Sequence, residues 1–206
     1  MGNANSHDVA FLVEPMEPLP IVARDFCFLE PTSLVIPPSM SRTPNDCMLQ
    51  TVTGEVVFLW RGKTTTLTNV ERSISMQMER KALSINAHSI LVDGNTFGPS
   101  SGWLADINVI FPSPSVYEPR LDCTVGIHPE FSVAFSVEGD WGARNAVISM
   151  HVRDRIVSAA RIRGVKPGQL FGEYILDVIP GVDVAFMVLL CTSIDRIANL
   201  TRGIIL

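Results

Sequence analysis

Hydrophobic and polar residues alternate along much of the chain after residue 47, as they do in β-strands that bury only one face. The alternation is clearest at 73–78, 103–111 and 130–137. Turn residues such as Asp93 and Gly94 separate these short runs, and turn signals recur roughly every 8–12 residues. The pattern predicts about ten to twelve short strands in one barrel or sandwich.

The last fifth of the chain departs from this pattern, because residues 184–191 contain no polar side chain. Apolar positions continue at helical spacing to residue 200, Asp183 can cap the first turn, and Gly203 can end the last one. We therefore predict a helix that is apolar on nearly every face. The alternatives are a helix between two layers and a membrane span, but the run is shorter than the roughly 20 residues that a span needs.

One apolar helix after a series of strands fits best inside a closed barrel or a strongly curved sheet. We therefore expect a mostly β (α+β) fold, with a flexible lead-in over 1–20 and a single domain over 21–206. Within that domain we predict an edge strand at 21–28, and an extended proline-rich segment at 31–47.

Composition narrows the function classes. Hydrophobic residues make up 47% and charged residues 18% of the chain, which excludes a disordered protein. The net charge of −5 argues against nucleic-acid binding and against unaided adsorption to anionic membranes. The four cysteines form no Cys-x-x-Cys pair, and no secretory signal pattern opens the chain, so we expect a cytoplasmic protein.

The first six residues, MGNANS, match the N-myristoylation pattern, with Gly2 as the acceptor once Met1 is removed. A single acyl chain binds membranes weakly and reversibly unless a second signal assists it. Gly2 is therefore a candidate lipidation site, and the alternative interpretation is a frayed, asparagine-rich terminus.

No pattern in the sequence points to catalysis. Residues 98–102 match Gly-x-Ser-x-Gly around Ser100, but that motif needs a strand before the serine and a helix after it. Here Pro99 precedes the serine and a predicted strand follows, which favours an ordinary loop. The histidines are scattered and show no metal-binding spacing. We expect a non-enzymatic protein without a metal or a cofactor.

Several stretches, taken in order, resemble the LURP-one-related family, which is similar in fold to tubby proteins and phospholipid scramblases. The stretches are TGEVVF at 53–58, KALSI at 81–85, DCTVGI at 122–127, FSVEGDW at 135–141, RIVSA at 155–159, VIPGVDVAF at 178–186 and IDRI at 194–197. The resemblance covers about residues 22–198, and the last two stretches are its most specific part. It implies a closed, tubby-like β-barrel around a buried hydrophobic C-terminal helix.

Much of the positive charge of the chain lies between residues 144 and 166. Tubby domains hold phosphoinositide headgroups, so the resemblance makes this basic stretch a candidate phospholipid-binding patch; the alternative is a solvated barrel wall. The candidate residues are Arg153, Arg155, Arg161, Arg163 and Lys166.

The functional expectation is a non-enzymatic, monomeric adaptor associated with membranes, which binds a phospholipid and is cytoplasmic or peripheral to the membrane through Gly2. The alternative is a cytosolic protein–protein interaction module that binds no lipid, with an unknown protein partner. The net charge of −5 and the absence of a polybasic run after Gly2 favour this alternative.

Overall fold

The computed structural model describes residues 17–82, 84, 86–93, 102–111, 118–125, 133–152, 154–166 and 168–203. This part of the chain forms twelve strands and two α-helices. The strands are β1 Thr32–Ile36, β2 Cys47–Thr51, β3 Val56–Arg61, β4 Thr66–Asn69, β5 Ser75–Arg80, β6 Ala87–Asp93, β7 Trp103–Ile110, β8 Arg120–Val125, β9 Val133–Asp140, β10 Asn145–Val152, β11 Arg155–Gly164 and β12 Tyr174–Val178. The helices are α1, Ser39–Arg42, and α2, Val184–Thr201.

The strands form one antiparallel sheet in the order β8-β7-β6-β5-β4-β3-β2-β1-β12-β11-β10-β9. Every hydrogen-bonded neighbour is therefore also a neighbour in sequence, except where β12 pairs with β1. The two edge strands, β8 and β9, lie side by side, so the sheet curls into a nearly closed barrel. The predicted fold class, a mostly β barrel with a C-terminal helix, is confirmed.

Helix α2 fills the lumen of this barrel. It is long and apolar enough to cross a membrane by composition alone, but 83% of it is buried inside the protein, as expected for a core helix. Its side chains pack against the inward-facing residues of the strands, among them Phe58, Phe135 and Leu176. A helix with apolar side chains on every face must be enclosed in this way if all of those side chains are to be removed from water.

The two ends of the barrel differ, and we call them upper and lower. The upper end is where α2 begins, and it carries the β2–β3, β4–β5 and β10–β11 turns. The lower end is where α2 ends, and it carries α1 together with the β3–β4, β9–β10 and β11–β12 connections. Glu17 to Ala23 enter at the upper end, where the backbone N–H of Leu19 donates to the carbonyl of Gly181 at 3.0 Å.

Two predictions of local structure were wrong. The segment 21–28 is not an edge strand but contains a short 3₁₀ turn, Arg24–Phe26, because its backbone N–H groups bind a side chain of the helix instead of a strand. The segment 31–47 is not simply extended, since it contains β1 and α1 between its prolines. Strand β4 was missed, since it has only four residues, of which Leu67 alone is large and apolar.

Candidate functional site

The carboxylate of Asp183 holds the upper end of the barrel together. Its Oδ1 accepts the backbone N–H of Phe186 at 3.0 Å, which is the N-cap that the sequence predicts. Its Oδ2 accepts three further backbone N–H groups, from Ile21, Val22 and Ala23, at 3.0, 2.6 and 3.2 Å. Burial raises the pKa of Asp183, while the four N–H groups oppose that rise by favouring the charged form. One side chain thus joins the helix to the start of the domain.

Asp195 has a similar role near the lower end. Its Oδ1 accepts a hydrogen bond from Nε1 of Trp141 at 2.8 Å and forms a 2.5 Å ion pair with Nη1 of Arg144. The Arg144 guanidinium is 2% exposed and lies over the ring of Tyr174, 4.3 Å from its centre. Burial works to lower the pKa of Arg144, but the Asp195 carboxylate, together with Tyr174 and Cys191, outweighs it and the pKa is raised. Both side chains are buried, so the pair is inaccessible to a ligand.

Both aspartates belong to the stretches most specific for the resemblance, and Trp141 ends another of its stretches, residues 135–141. Trp141 lies in the tight turn after β9, in which Oδ1 of Asp140 accepts the backbone N–H of Ala143 at 2.9 Å. The Trp141 side chain is fully buried, so this turn has a structural role. These motif residues position the helix in the barrel and have no surface to offer a partner.

A cleft of about 750 Å³ opens at the lower end, between the barrel rim and the last turns of α2. Three cationic side chains line it: Lys63 from the β3–β4 turn, Arg80 from the end of β5, and Arg196 from α2. Glu79 is the acidic residue among the described lining residues. Arg196 is half-buried and desolvation lowers its pKa. The cleft is thus a predominantly cationic site.

His88 lies between this cleft and the core. It pairs with Arg80 across β5 and β6, and its Nδ1 lies 2.7 Å from Oγ of Ser193. Burial lowers the pKa of His88 to about 4, with Arg196 and Arg80 contributing, so the ring is neutral at physiological pH. Ser193 is fully buried, which denies a substrate access to the hydroxyl. The contact between His88 and Ser193 is therefore a structural hydrogen bond that joins α2 to strand β6 of the barrel.

The residues of the predicted phospholipid patch are spread along β11. Arg155 is exposed at its upper end, whereas Arg163 and Lys166 are exposed near its lower end, about 26 Å away at 3.3 Å per residue. Arg161 lies half-buried between them. A bulge at Ala159 resets the alternation, so Arg155 and Arg161 face opposite sides of the strand.

Their partners also differ. Nε of Arg163 donates to Oδ2 of Asp177 at 2.7 Å, whereas Lys166 extends from the β11–β12 connection between the exposed residues Val165 and Leu170. The patch stays a prediction, and the geometry divides it into an upper and a lower part.

Three candidate site residues weighed in the sequence analysis, Gly2, Ser100 and Arg153, lie outside the described residues. Within the described part of the chain, no group of three or more His, Cys, Asp or Glu side chains is arranged to hold a metal ion. Burial raises the pKa of both Cys27 and Cys123 to about 12, which keeps these thiols protonated.

The cationic cleft was not predicted from the sequence. Lys63, Arg80 and Arg196 are widely separated in the chain, and each is unremarkable in its own neighbourhood. Only the return of the last helix through the barrel brings Arg196 beside the β5–β6 rim. One signal was present: Arg196 shares its helix face with the polar residues Ser193 and Asn199, three positions before and after it, in a helix that is otherwise largely apolar.

These features define a class of protein, a twelve-stranded antiparallel barrel plugged by its own helix and fixed to it by two buried aspartates. The comparison with family models agrees, since the model described as LURP-one-related matches residues 32–195. The chain belongs to the LURP-one-related family. Neither the search of curated proteins nor that of solved structures gives a match.

Proposed function

We propose that this protein is a non-enzymatic adaptor that docks on anionic membrane surfaces through the lower end of its barrel. The observation that carries the proposal is the β11–β12 connection. There, the exposed Lys166 lies in the same connection as two exposed aliphatic residues, Val165 and Leu170, which are 41% and 50% exposed. Apolar side chains next to a cation are suited to the boundary between lipid headgroups and acyl chains.

The surroundings of this connection support the same orientation. The cationic cleft lined by Lys63, Arg80 and Arg196 opens at the same end of the barrel. Since the net charge of the protein is −5, attraction to anionic lipid has to come from such a local concentration of positive charge. The exposed acidic residue Glu173 near Leu170 reduces this attraction. We therefore expect weak, reversible binding that a second anchor strengthens.

The test is sedimentation with vesicles of phosphatidylcholine alone and of phosphatidylcholine with phosphatidylserine. Lys166→Glu should weaken binding to the anionic vesicles roughly tenfold, since a lysine near such a surface contributes about 1 kcal/mol and the reversed charge is repelled. Arg155→Glu is the matched control, because it makes the same charge change on an exposed residue at the upper end.

Each outcome decides between orientations or functions. Loss of binding in Arg155→Glu but not in Lys166→Glu would mean that the upper part of the patch docks on the membrane. If the unmodified protein does not bind anionic vesicles at all, the lipid proposal fails. The alternative, a cytosolic protein–protein interaction module, would then take its place, and the protein partner would be sought by cross-linking in cells.

A further inference from the structure

A groove of about 680 Å³ crosses the outer wall of the barrel over strands β3 to β6, and we call it the wall groove. Its lining includes the arginines Arg61 and Arg72 and a set of hydroxyl and amide side chains. Thr64 and Gln77 line both the wall groove and the lower cleft, so the two adjoin. The wall groove itself faces sideways, away from the barrel axis.

One row of side chains forms the floor of the wall groove. Register pairs Arg61 with Thr66, Thr66 with Gln77, Gln77 with Leu91, and Leu91 with Trp103 of β7. Each of the five is next to a buried residue in its own strand, so all five lie on the outer face. Four strand spacings of about 4.8 Å make the row about 19 Å long, which is roughly the length of six residues of extended chain.

The middle of the row is suited to a polypeptide backbone. Gln77 is exposed and its amide has no side-chain partner among the described residues, and the hydroxyl of Ser75 lies beside it along β5. Amide and hydroxyl groups both donate and accept hydrogen bonds. The N–H and C=O groups of an extended chain need both kinds of partner.

The charge of the wall groove is positive. Arg61 and Arg72 are exposed, and the ion pairs found in the described part of the chain involve neither of them. No acidic residue occurs among the described residues that line the groove. Strand β4, three residue steps of about 3.3 Å long, separates the two arginines. Carboxylates two or four residues apart on one face of an extended chain have a similar spacing, about 7–13 Å.

Arg72 has a backbone conformation that favours another residue. Its φ is 58°, in the left-handed region where glycine or asparagine is more easily accommodated. The turn is formed by Asn69, whose Oδ1 accepts the backbone N–H of Ile74 at 3.1 Å, and it does not use the Arg72 side chain. Unusual backbone conformations of this kind are found often at binding sites. The Arg72 side chain therefore has no evident role within the fold.

Trp103 ends the row with a fixed aromatic surface. It is 40% exposed, and its Nε1 donates to Oδ1 of Asp106 at 3.1 Å. Asp106 is itself held by Ser89 and Lys81. An exposed indole that is already oriented loses little freedom when an apolar side chain packs on it.

We propose that the wall groove binds an extended acidic segment of a protein partner. The carboxylates of the segment pair with Arg61 and Arg72, its backbone bonds to Gln77 and Ser75, and an apolar side chain packs on Trp103 and Leu91. The outer wall stays accessible when the lower end rests on a membrane, so an adaptor could use both surfaces together. The inference goes beyond membrane docking and does not depend on it.

The experiment measures fluorescence anisotropy of a labelled decapeptide in which glutamate alternates with serine and leucine stands at both ends. Arg61→Glu and Arg72→Glu should each weaken its binding to the full-length protein about tenfold, because an attractive charge becomes a repulsive one. Arg155→Glu is the matched control: it makes the same change on an exposed residue of β11 and should alter affinity less than about twofold. Thermal midpoints check that the variants fold.

Arg72→Gly separates the side chain from the backbone. Glycine adopts a positive φ easily, so the thermal midpoint should stay the same or rise. Binding of the acidic peptide should nevertheless weaken, though less than in Arg72→Glu, because the charge is removed and not reversed. A variant that binds as tightly as the parent would overturn the role of Arg72.

Acrylamide quenching gives an independent readout. Trp60 and Trp141 are buried, so the quencher reaches chiefly Trp103. The bound peptide should protect Trp103 from quenching, and a peptide without the terminal leucines should protect it less. Equal protection by the two peptides would overturn the aromatic part of the proposal.

The remaining outcomes are equally decisive. The proposal is overturned if the acidic peptide does not bind, if it binds the two charge-reversed variants as well as the parent, or if the same peptide with lysine in place of glutamate binds equally well. If oligogalacturonate displaces the peptide at a lower concentration than the peptide itself needs, the groove takes an acidic saccharide and not a protein segment. Peptide binding by a protein that does not bind anionic vesicles would support this inference while the membrane proposal fails.

Discussion

Single buried residues account for the most specific motifs of this chain. Asp195 accepts hydrogen bonds from both Trp141 and Arg144, and all three side chains are almost completely enclosed. A buried ion pair gains little over a well-packed apolar pair, but a partner left alone is costly because its charge has no water. The Arg144–Asp195 pair therefore acts chiefly by making one position of α2 in the barrel much lower in free energy than shifted positions.

Asp195→Asn should lower the free energy of unfolding by about 3–5 kcal/mol, because it leaves the Arg144 guanidinium buried without a counter-ion. Denaturant unfolding at neutral pH measures the loss. Asp177→Asn is the matched control: it breaks the partly exposed pair with Arg163 and should cost roughly 1 kcal/mol or less. Equal losses in the two variants would contradict the buried-pair argument.

At the scale of elements, the barrel and its helix are joined at both ends. Asp195 attaches the lower half of α2 to the β9–β10 turn, and Asp183 attaches its first turn to residues 21–23. The second attachment is more than an N-cap, because three of the four N–H groups belong to another segment. Few side chains other than a carboxylate offer two oxygens to four donors.

Asp183→Asn distinguishes these two roles. Asparagine caps helices about as well as aspartate, so a simple cap predicts almost no change in stability. The four-donor site predicts a loss of about 2–4 kcal/mol, because the amide NH₂ would face backbone N–H groups of 21–23. Denaturant unfolding gives the value, and Asp25→Asn, an exposed acid in the same segment, serves as the control. A stability unchanged from that of the parent would rule out the four-donor role.

The elements also show what the sequence could and could not predict. Alternation located most strands, and the apolar run located α2 with its Asp183 cap, because these signals are local. The segment 21–28 was assigned wrongly because its backbone donors bind Asp183, some 160 residues later in the chain. The cationic cleft was missed for the same reason, since Arg196 meets the β5–β6 rim only after the helix returns through the barrel.

At the scale of the whole molecule, the described chain begins at the end of the barrel opposite to Lys166. The described chain starts beside Gly181 at the upper end, whereas Lys166 and the cleft lie at the lower end. The fifteen residue steps from Gly2 to Glu17 can span up to about 50 Å, and α2 measures about 27 Å. An acyl chain on Gly2 can therefore reach a membrane that the lower end touches.

Gly2→Ala should abolish labelling with a myristate analogue in cells and move the protein from the membrane fraction to the soluble fraction. A single acyl chain binds only weakly, so we expect Lys166→Glu to reduce the membrane fraction of the labelled protein as well. If labelled protein stays in the soluble fraction, acylation alone does not hold the protein on the membrane. An unlabelled parent protein would mean that the first residues are a plain tail.

The position of α2 has a consequence for the synthesis of the protein. The twelve strands leave the ribosome before α2, which gives them a common core. The backbone N–H groups of Ile21 to Ala23 likewise have no Asp183 carboxylate to bind until residue 183 has been synthesised. A shortened chain without α2 would be a curled sheet with an empty, apolar interior, prone to aggregate or to be degraded. Helix α2 is thus required for a stable fold. Nonsense mutations that remove α2 should therefore be as damaging as nonsense mutations early in the chain.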